Sequence, residues 1–240
     1  MTIRITIERS VAEMFKYDTH VHTSEASACA TISGAEQVRL YKKLGYTGII
    51  VTDHFFNGNT TVPKSLPWEE RVERFCLGYE HAKREGEIEG ISVFFGWEES
   101  YFGTDFLIYG LDKDWLIKNP DILNWSRQEH YERVHGSGGF LVHAHPFREA
   151  DYISSIRLYP EYEDAIEIIN ASHKNPKFNK KAAEYAKRHQ KPVTGGSDAH
   201  HAGSPHGGMV FQHELKDIQD FINSVKRKKG VTVLPPSYKV

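Results

Sequence analysis

Residues 138–145 read GGFLVHAH, an apolar run that ends in two histidines one residue apart. Residues 47–54, TGIIVTDH, repeat this arrangement with an aspartate and a histidine at the end. Short apolar runs of this kind are typical of strands that are buried on both faces of a parallel sheet. Side chains at positions i and i+2 of a strand point to the same side, so both imidazoles of a His-X-His pair would project together. The two stretches therefore predict buried strands with metal-ligand side chains at their carboxyl ends.

The same arrangement recurs along the chain, and it decides the predicted fold. Side chains from many strands can meet at one point only if the sheet curls around that point, as in α/β barrels. An open sheet would gather them chiefly at one switch point. The pattern therefore favours a closed or distorted barrel over an open sheet. The residues concerned are His20 and His22, Asp53 and His54, Glu98 and Glu99, Asp105, His143 and His145, Asn170, and Asp198 and His200.

Strands and helices alternate at short intervals, which favours a parallel sheet with crossover helices. Ser33 and Glu36 predict a capping box for a helix that ends at Gly45. No linker, repeat or low-complexity segment divides the sequence, so we expect one α/β domain over residues 1–240. Other helices are predicted over residues 68–85, 124–135, 177–188 and 217–228, and other strands over residues 2–7, 15–22, 91–95, 106–109, 165–169, 192–194 and 231–234.

The composition excludes several classes of protein. Lys and Arg number 30 against 32 Asp and Glu, and this balance argues against binding of extended nucleic acid. Two cysteines are too few for a disulfide framework or a cysteine-rich zinc module. No apolar run approaches the roughly 18 residues of a membrane span, and the first residues do not resemble a signal peptide. We expect a cytoplasmic protein without a membrane partner, with non-classical export as the alternative.

The 14 histidines point to metal ligation or proton transfer. Imidazoles and carboxylates together bind Zn²⁺, Mn²⁺ or Fe. The set at the strand ends exceeds what one four-coordinate ion needs, and it suits two or three divalent ions that share a bridging carboxylate. Sites of that kind typically cleave phosphate esters. Four histidines between charged residues in helical stretches are interpreted as exposed: His81, His130, His135 and His189. His206 and His213 are interpreted as structural.

Six motifs lie in order between about residues 17 and 209: YDTHVHTS, GIIVTDHF, GWEES, LVHAHPFR, AIEIINAS and TGGSDAHH. With these motifs, the sequence resembles the PHP (polymerase and histidinol phosphatase) superfamily. The resemblance implies a distorted seven-stranded (β/α)7 barrel that hydrolyses phosphoesters with up to three divalent metals. It also implies ligand roles by position. His20, His22 and Asp198 resemble ligands of the first metal, Glu98 the carboxylate between the first two metals, His145 a ligand of the second, and His54 and His200 ligands of the third.

Several neighbouring residues are candidates for other roles. Arg148 could clamp a phosphate with two hydrogen bonds, and an exposed ion pair with Glu149 or Asp151 is the alternative. His173, His201 and Lys174 are candidates for contacting the substrate or protonating the leaving group. His143 is an additional candidate, either as a ligand or behind the ligands. Asp18 is expected to orient one of the first histidines, and Glu99 is interpreted as a charged neighbour on the opposite face.

Two positions depart from the PHP pattern. Asp105 occupies a place where many members carry histidine, and as a ligand it would favour harder ions such as Mn²⁺ or Fe. Ala28 occupies the place of another histidine, so the third metal would lose a ligand and have lower occupancy. Glu25 or Cys29 could replace that ligand, and the interpretation that neither does is preferred.

The resulting prediction is hydrolysis of a small phosphomonoester, such as histidinol phosphate, by attack of a metal-bound hydroxide. One alternative is a phosphodiesterase or exonuclease that acts on nucleotides or short oligonucleotides. Another is a metal-dependent C–N hydrolase of the amidohydrolase type, because those barrels also carry His-X-His at a strand end. A third is a non-catalytic, metal-stabilised accessory module. The oligomeric state is left open.

Overall fold

The structure is a computed structural model that describes residues 14–228 and 231–237. The strand predicted over residues 2–7 lies outside the described residues. Within them, the strands are β1 (Phe15–Val21), β2 (Gly48–Val51), β3 (Ser92–Tyr101), β4 (Thr104–Tyr109), β5 (Phe140–Ala144), β6 (Ala165–Asn170), β7 (Val193–Gly196), β8 (His206–Phe211) and β9 (Val231–Ser237). The α-helices are α1 (Gly34–Lys43), α2 (Trp68–Phe75), α3 (Leu77–Glu89), α4 (Lys113–Lys118), α5 (Arg127–Gly136), α6 (Pro176–Arg188) and α7 (Ile218–Arg227).

All of these strands belong to one mixed sheet, in the order β7-β6-β5-β4-β3-β2-β1-β8-β9. Parallel pairing joins β1 to β2, β2 to β3, β5 to β6 and β6 to β7. The prediction of a parallel sheet is wrong for β3, β4 and β5, which pair antiparallel. The reason is the connection from β3 to β4, which consists only of Phe102 and Gly103, both with positive φ. A two-residue turn of this kind can join only antiparallel strands.

The sheet curls until the end of β7 returns to β1. Asp198 N donates to His20 O at 2.9 Å, and His22 N donates to Ala199 O at 3.0 Å. Strands β1 to β7 therefore form a nearly closed barrel. Strand β8 pairs antiparallel with the first half of β1 and with β9, and these two strands extend the sheet beyond the expected seven-stranded barrel.

Most predicted helices are present with small shifts of their ends. The capping box is confirmed, because Ser33 Oγ accepts from Glu36 N at 3.3 Å and Glu36 Oε2 accepts from Ser33 N at 2.9 Å. The single helix predicted over residues 68–85 is instead two helices, α2 and α3, separated at Cys76. Helix α4 and strand β8 were not predicted.

The apolar core fills the barrel and the space between its wall and the helices. One buried cluster joins the barrel strands to α7, through residues such as Tyr17, Leu107 and Phe221. A second lies between the sheet and helices α2, α4 and α5, and includes Phe55 and Trp97. No helix in the described ranges is long and apolar enough to cross a membrane. In contrast to these apolar clusters, the side chains buried at the carboxyl end of the barrel are polar.

Candidate metal centre

The carboxyl end of the barrel brings together the side chains that the strand-end pattern singled out. His20 lies in β1 and Glu98 in β3, while the others lie in the segments that follow β1, β2, β5 and β7. The group is almost entirely buried. Within the described residues, three overlapping sets have ligand atoms that lie within 4.8 Å of one another: His20, His22 and Asp198; His20, Glu98 and His145; and His22, His54 and His200.

Glu98 lies between these sets. Its Oε1 is 2.9 Å from His145 Nε2 and 3.4 Å from His20 Nε2. Its Oε2 is 2.8 Å from His54 Nδ1 and 3.5 Å from His22 Nε2. The two carboxylate oxygens therefore face different pairs of imidazoles, which is the placement expected of a carboxylate shared by two ions.

The donor set fits divalent cations. Glu98 Oε2 and Asp198 Oδ1 are buried and have no hydrogen bond of good geometry. Asp198 Oδ1 is 3.3 Å from His22 Nε2, 3.6 Å from His20 Nε2 and 3.5 Å from His200 Nδ1. A buried oxygen without a donor is costly, and a cation shared with the neighbouring nitrogens would satisfy it. Nitrogen and carboxylate donors are those preferred by Zn²⁺, Mn²⁺ and Fe.

Neighbouring positive charges lower the pKa values of the two central carboxylates. Burial alone would raise the pKa of Glu98, but the charges of His20 and His54 hold that pKa well below its ordinary value. Burial also opposes ionisation of Asp198, and the charges of Arg148 and His20 keep its pKa well below the ordinary value. Both carboxylates are therefore ionised and available as ligands at neutral pH.

The histidines differ in charge. Burial and the neighbouring His200 and His54 hold the pKa of His22 well below its ordinary value, so its imidazole is neutral. Burial opposes protonation of His54, but the Glu98 charge outweighs it and raises the pKa of His54 to about 11. A cation would have to displace the proton of His54.

His145 and Asp198 both have left-handed backbone, with φ of 32° and 56°. Such a conformation costs a non-glycine residue about 1–3 kcal/mol, and strain of this kind is concentrated at functional sites. Because β5 ends at Ala144 and the chain then turns, His145 does not continue the alternation of the strand. This turn carries the imidazole of His145 to Glu98.

The turn also separates His143 from His145, and the expectation that both project together is wrong. His143 Nδ1 lies 2.6 Å from Glu163 Oε2, and its ring stacks on Phe106. His143 belongs to none of the three ligand sets in the described part of the chain. It lies in the barrel wall, behind the ligands.

Glu167 supports the centre and was missed by the sequence analysis. Its Oε1 is 2.9 Å from His20 Nδ1, and its Oε2 accepts from His145 N and Asn170 Nδ2, both at 3.0 Å. The residue is fully buried in β6. A carboxylate on the far nitrogen of a ligating histidine fixes its ring and raises its basicity. The available signal was a glutamate within the otherwise apolar run AIEII.

Two further aspartates hold the ligands through the backbone and hydroxyl groups. Asp18 accepts from His20 N at 3.1 Å, Ser197 N at 2.9 Å and Tyr41 Oη at 2.6 Å. Asp18 therefore connects β1 to the end of β7. The expectation that it orients a histidine ring is wrong, because these hydrogen bonds do not involve an imidazole. Burial raises the pKa of Asp18 to about 6.

Asp53 acts on the other side of β1. It accepts from Ser27 Oγ at 2.7 Å and from Thr23 N at 2.6 Å. Ser27 Oγ lies 3.1 Å from His22 Nδ1 and accepts from His54 N at 3.0 Å. This chain of hydrogen bonds positions two candidate ligands together.

The two departures from the PHP pattern lie at opposite sides of the centre. Asp105 Oδ2 is 3.9 Å from His145 Nε2, at the edge of the ligand sets, and burial raises its pKa. Near Ala28, the Glu25 carboxylate turns away, because it accepts from Gly34 N at 3.1 Å and contacts His81. Burial opposes ionisation of the Cys29 thiol, but hydrogen bonds with His200 and His54 lower its pKa to about 6.

A cavity of about 1180 Å³ opens over the centre. Arg148 lines it, pairs with Asp198 and has Nε 3.4 Å from His173 Nε2. The alternative ion pairs of Arg148 are not found among the described residues, where Glu149 instead contacts Lys181. His173, Lys174 and His201 line the same cavity, so the structure brings together all the candidates for substrate contact.

The helical histidines are not all exposed. His130 is buried against Glu99, and its Nδ1 is 3.2 Å from Arg127 Nη1, so its interpretation as an exposed residue is wrong. Glu99 lies on the opposite face of β3 from Glu98, as expected, and also accepts from Asn57 Nδ2. His135 and His189 are exposed.

The comparisons with known proteins agree on the fold. Residues 176–229 match the sequence family described as PHP-associated. A two-domain protein from Bacteroides vulgatus, containing a predicted PHP-like metal-dependent phosphoesterase, superposes with a TM-score of 0.69 at 14% identity, over 93% of this chain and 65% of that one. The chain thus spans less than two thirds of that protein. No curated protein matches the sequence.

Two other solved structures are similar. One is a candidate metal-dependent phosphoesterase from Bifidobacterium adolescentis, with a TM-score of 0.57 and 18% identity over 87% of this chain and 95% of that one. The other is an amidohydrolase from Chromobacterium violaceum with bound sulfate and no metal, with a TM-score of 0.52 and 16% identity over 78% and 88% of the two chains. At these identities the likeness shows a shared fold.

Proposed function

We propose, on the premise that the protein belongs to the PHP superfamily, that it is a metal-dependent phosphoesterase that hydrolyses a small phosphomonoester. The sequence motifs predicted this membership, and the comparisons support it. The observation that carries the proposal is the set of three overlapping His and carboxylate groups at the floor of one cavity, with Arg148 beside them. Such clusters suit two to three divalent ions, of which Zn²⁺, Mn²⁺ and Fe are the candidates.

The proposed ligands are the residues that meet at the cavity floor: His20, His22, His54, Glu98, His145, Asp198 and His200, with Asp105 at the edge. When bound, divalent cations would supply Lewis acidity for the phosphoryl group and for water. Glu98 and Asp198 supply negative charge to hold them, and Glu167 and Asp53 fix the rings of the histidines.

The residues on the cavity wall would act on the substrate. The guanidinium of Arg148 can bind phosphoryl oxygens with two parallel hydrogen bonds. His173 lies beside it, and burial together with the Arg148 charge lowers the pKa of His173 to about 4. A neutral imidazole there can accept a proton or orient the substrate. His201, held by Thr31 Oγ1 at 2.9 Å, is exposed at the cavity and is the candidate for protonating the leaving oxygen.

A second candidate function is cleavage of a phosphodiester in a nucleotide or short oligonucleotide. The cavity of about 1180 Å³ is larger than a small phosphomonoester requires. Tyr152 lines it and is 70% exposed, so its ring could stack on a base. The sulfate bound by the Chromobacterium violaceum amidohydrolase shows that a structure of this fold can hold an oxyanion.

The test is a parallel assay of an aryl phosphomonoester, an aryl phosphodiester and an aryl amide. Each is measured with Mn²⁺, Zn²⁺ or Fe²⁺ and again with excess chelator. We expect metal-dependent release from the monoester, and faster release from the diester would favour the second candidate. Turnover of the amide alone would favour a C–N hydrolase. Absence of metal-dependent turnover with both phosphoesters would refute the proposal, and absence of turnover with all three substrates would leave the non-catalytic module.

A further inference from the structure

We propose that Asn179 is a positioning residue for the reaction, because it fixes the imidazole of His173 in the orientation and tautomer that hold the guanidinium of Arg148 at the cavity wall. The inference rests on the proposed phosphoesterase function, in which Arg148 binds the phosphoryl group. It narrows the role of His173, which would act on the substrate through Arg148. Asn179 lies in α6 and was not among the candidates of the sequence analysis.

The amide of Asn179 has one favourable orientation. Its Oδ1 accepts from Asn170 N at 3.1 Å, and its Nδ2 donates to Asn170 O at 3.2 Å. Rotating the amide by 180° would place its NH2 group against a backbone N–H and its oxygen against a backbone carbonyl. The backbone at the end of β6 therefore decides that the oxygen of Asn179, and not its nitrogen, is the acceptor next to His173.

This orientation determines the tautomer of His173. Its Nδ1 lies 2.8 Å from Asn179 Oδ1, which can only accept a hydrogen bond, so Nδ1 carries the hydrogen. In a neutral imidazole, Nε2 then has no hydrogen and can only accept. Burial and the Arg148 charge lower the pKa of His173 to about 4, which agrees with a neutral ring. His173 is buried and Phe178 packs edge-on against its ring, so the ring is held in this position.

The free lone pair of His173 faces Arg148. Arg148 Nε donates to His173 Nε2 at 3.4 Å, and Arg148 Nη2 donates to Asp198 Oδ2. The guanidinium is thus held at two of its nitrogens, and both N–H groups of Nη1 and the second N–H of Nη2 remain for a ligand in the cavity. These are sufficient for two parallel hydrogen bonds to a phosphoryl group. The other tautomer of His173 would direct an N–H at the Nε–H of Arg148 and displace its side chain.

The first measurement reads the tautomer directly and needs no substrate. Long-range ¹H–¹⁵N correlation spectra are recorded for metal-free, ¹⁵N-histidine-labelled parent protein and for Asn179→Ala, with His173→Gln to assign the signals. We expect the Nδ1–H tautomer of His173 in the parent, and its replacement by the Nε2–H tautomer or a mixture in Asn179→Ala. An Nε2–H tautomer in the parent, or the same tautomer in both proteins, would overturn the proposal.

The second measurement is a double-mutant cycle on kcat/KM for the aryl phosphomonoester at saturating metal. It uses Asn179→Ala, Arg148→Lys and the double variant. We expect Asn179→Ala to lower kcat/KM about tenfold, the effect of about one net hydrogen bond. In the Arg148→Lys background the same substitution should change kcat/KM less than about twofold, because lysine lacks the Nε–H that His173 holds.

Asn175→Ala is the matched control. Asn175 is also an asparagine of α6, and its side chain caps the helix by accepting from Lys177 N at 3.1 Å. Replacing it should loosen the start of α6 and lower Tm without removing a hydrogen bond of His173. We therefore expect Asn175→Ala to change kcat/KM less than about twofold.

The outcomes separate this proposal from the proposed function. Equal losses of kcat/KM in Asn179→Ala and Asn175→Ala would indicate a general effect of α6 and overturn the positioning role. A tenfold effect of Asn179→Ala that persists in the Arg148→Lys background would also overturn it, and both results would leave the phosphoesterase function intact. Absence of metal-dependent turnover in the parent would overturn the phosphoesterase function, and the positioning role with it.

Discussion

The substitution Glu167→Gln tests whether a carboxylate outside the ligand sets controls metal binding. Glu167 receives three donors on two oxygens: His20 Nδ1 on one, and His145 N and Asn170 Nδ2 on the other. Glutamine has the same shape but only one acceptor oxygen and no charge. If its oxygen faces His20, its amide group faces two donors, and one side of the side chain is left mismatched.

The expected effect can be estimated from the structure. At 2.9 Å and an effective dielectric constant of about 20, the full interaction between Glu167 and a charged His20 would be about 6 kcal/mol. Glutamine keeps part of the hydrogen bonding and costs less to bury, so only a fraction of that energy is lost. Removing a carboxylate behind a ligating histidine typically lowers metal affinity by about 10–100-fold, or about 1.4–2.7 kcal/mol.

The assay is competition for Zn²⁺ and Mn²⁺ with a chromophoric chelator. The matched control is Glu163→Gln, because Glu163 is also fully buried, lies 2.6 Å from His143 Nδ1 and accepts from Tyr185 Oη at 2.7 Å. We expect less than about a threefold change in metal affinity for this control, since His143 is not in the ligand sets. Equal metal affinities of the two variants would refute the assignment of Glu167 as a positioning residue.

Four other outcomes are expected. His20 belongs to two of the three ligand sets, so His20→Ala should lower phosphoesterase activity more than about 100-fold with little change in circular dichroism, and parental activity would exclude His20 as a ligand. Arg148→Lys should lower kcat/KM about 10–100-fold without weakening metal binding, because the paired hydrogen bonds to phosphate are lost, whereas a parental kcat/KM would argue against the clamp. Because the pKa of His54 is raised to about 11, its ring is protonated at pH 7 without metal. Metal binding should therefore release a proton, and metal affinity should rise with pH. Calorimetry in buffers of different ionisation enthalpy measures this release, and finding none would contradict the prediction. At 100 times Kd, a bound ion adds about 2.7 kcal/mol, so chelation should lower Tm by about 5–10 °C, and an unchanged Tm would count against a metal centre.

The sequence was most informative where a local pattern decides the structure. Apolar runs followed by ligand residues were sufficient to place His20, His54, Glu98 and Asp198 at one end of a barrel. The capping box at Ser33 was equally local. These features depend on residues close together in the chain, so periodicity and composition could reveal them.

Other features depend on contacts or backbone turns that the pattern does not encode. His143 was expected beside His145, but the left-handed backbone at His145 sends the two rings to different sides. His130 lies between charged residues in its helix, and only the packing of α5 on the sheet buries it against Glu99. Strand β8 was missed because its run HGGMVF is rich in glycine and begins with histidine. The role of Glu167 requires knowing which strand lies beside β1.

The closure of β7 on β1 has a consequence for how the protein is made. Asp18 and Ser197, which are hydrogen-bonded across this seam, are 179 residues apart in the chain. At about 5–20 residues per second, a ribosome needs about 10–35 s to advance from His20 to Asp198. Contacts of such long range form late in folding, because the loop between them must close first. During synthesis the two histidines at the end of β1 would meet a metal ion without their carboxylate partner, so correct loading of the proposed centre would have to wait until the last strands of the barrel have been made.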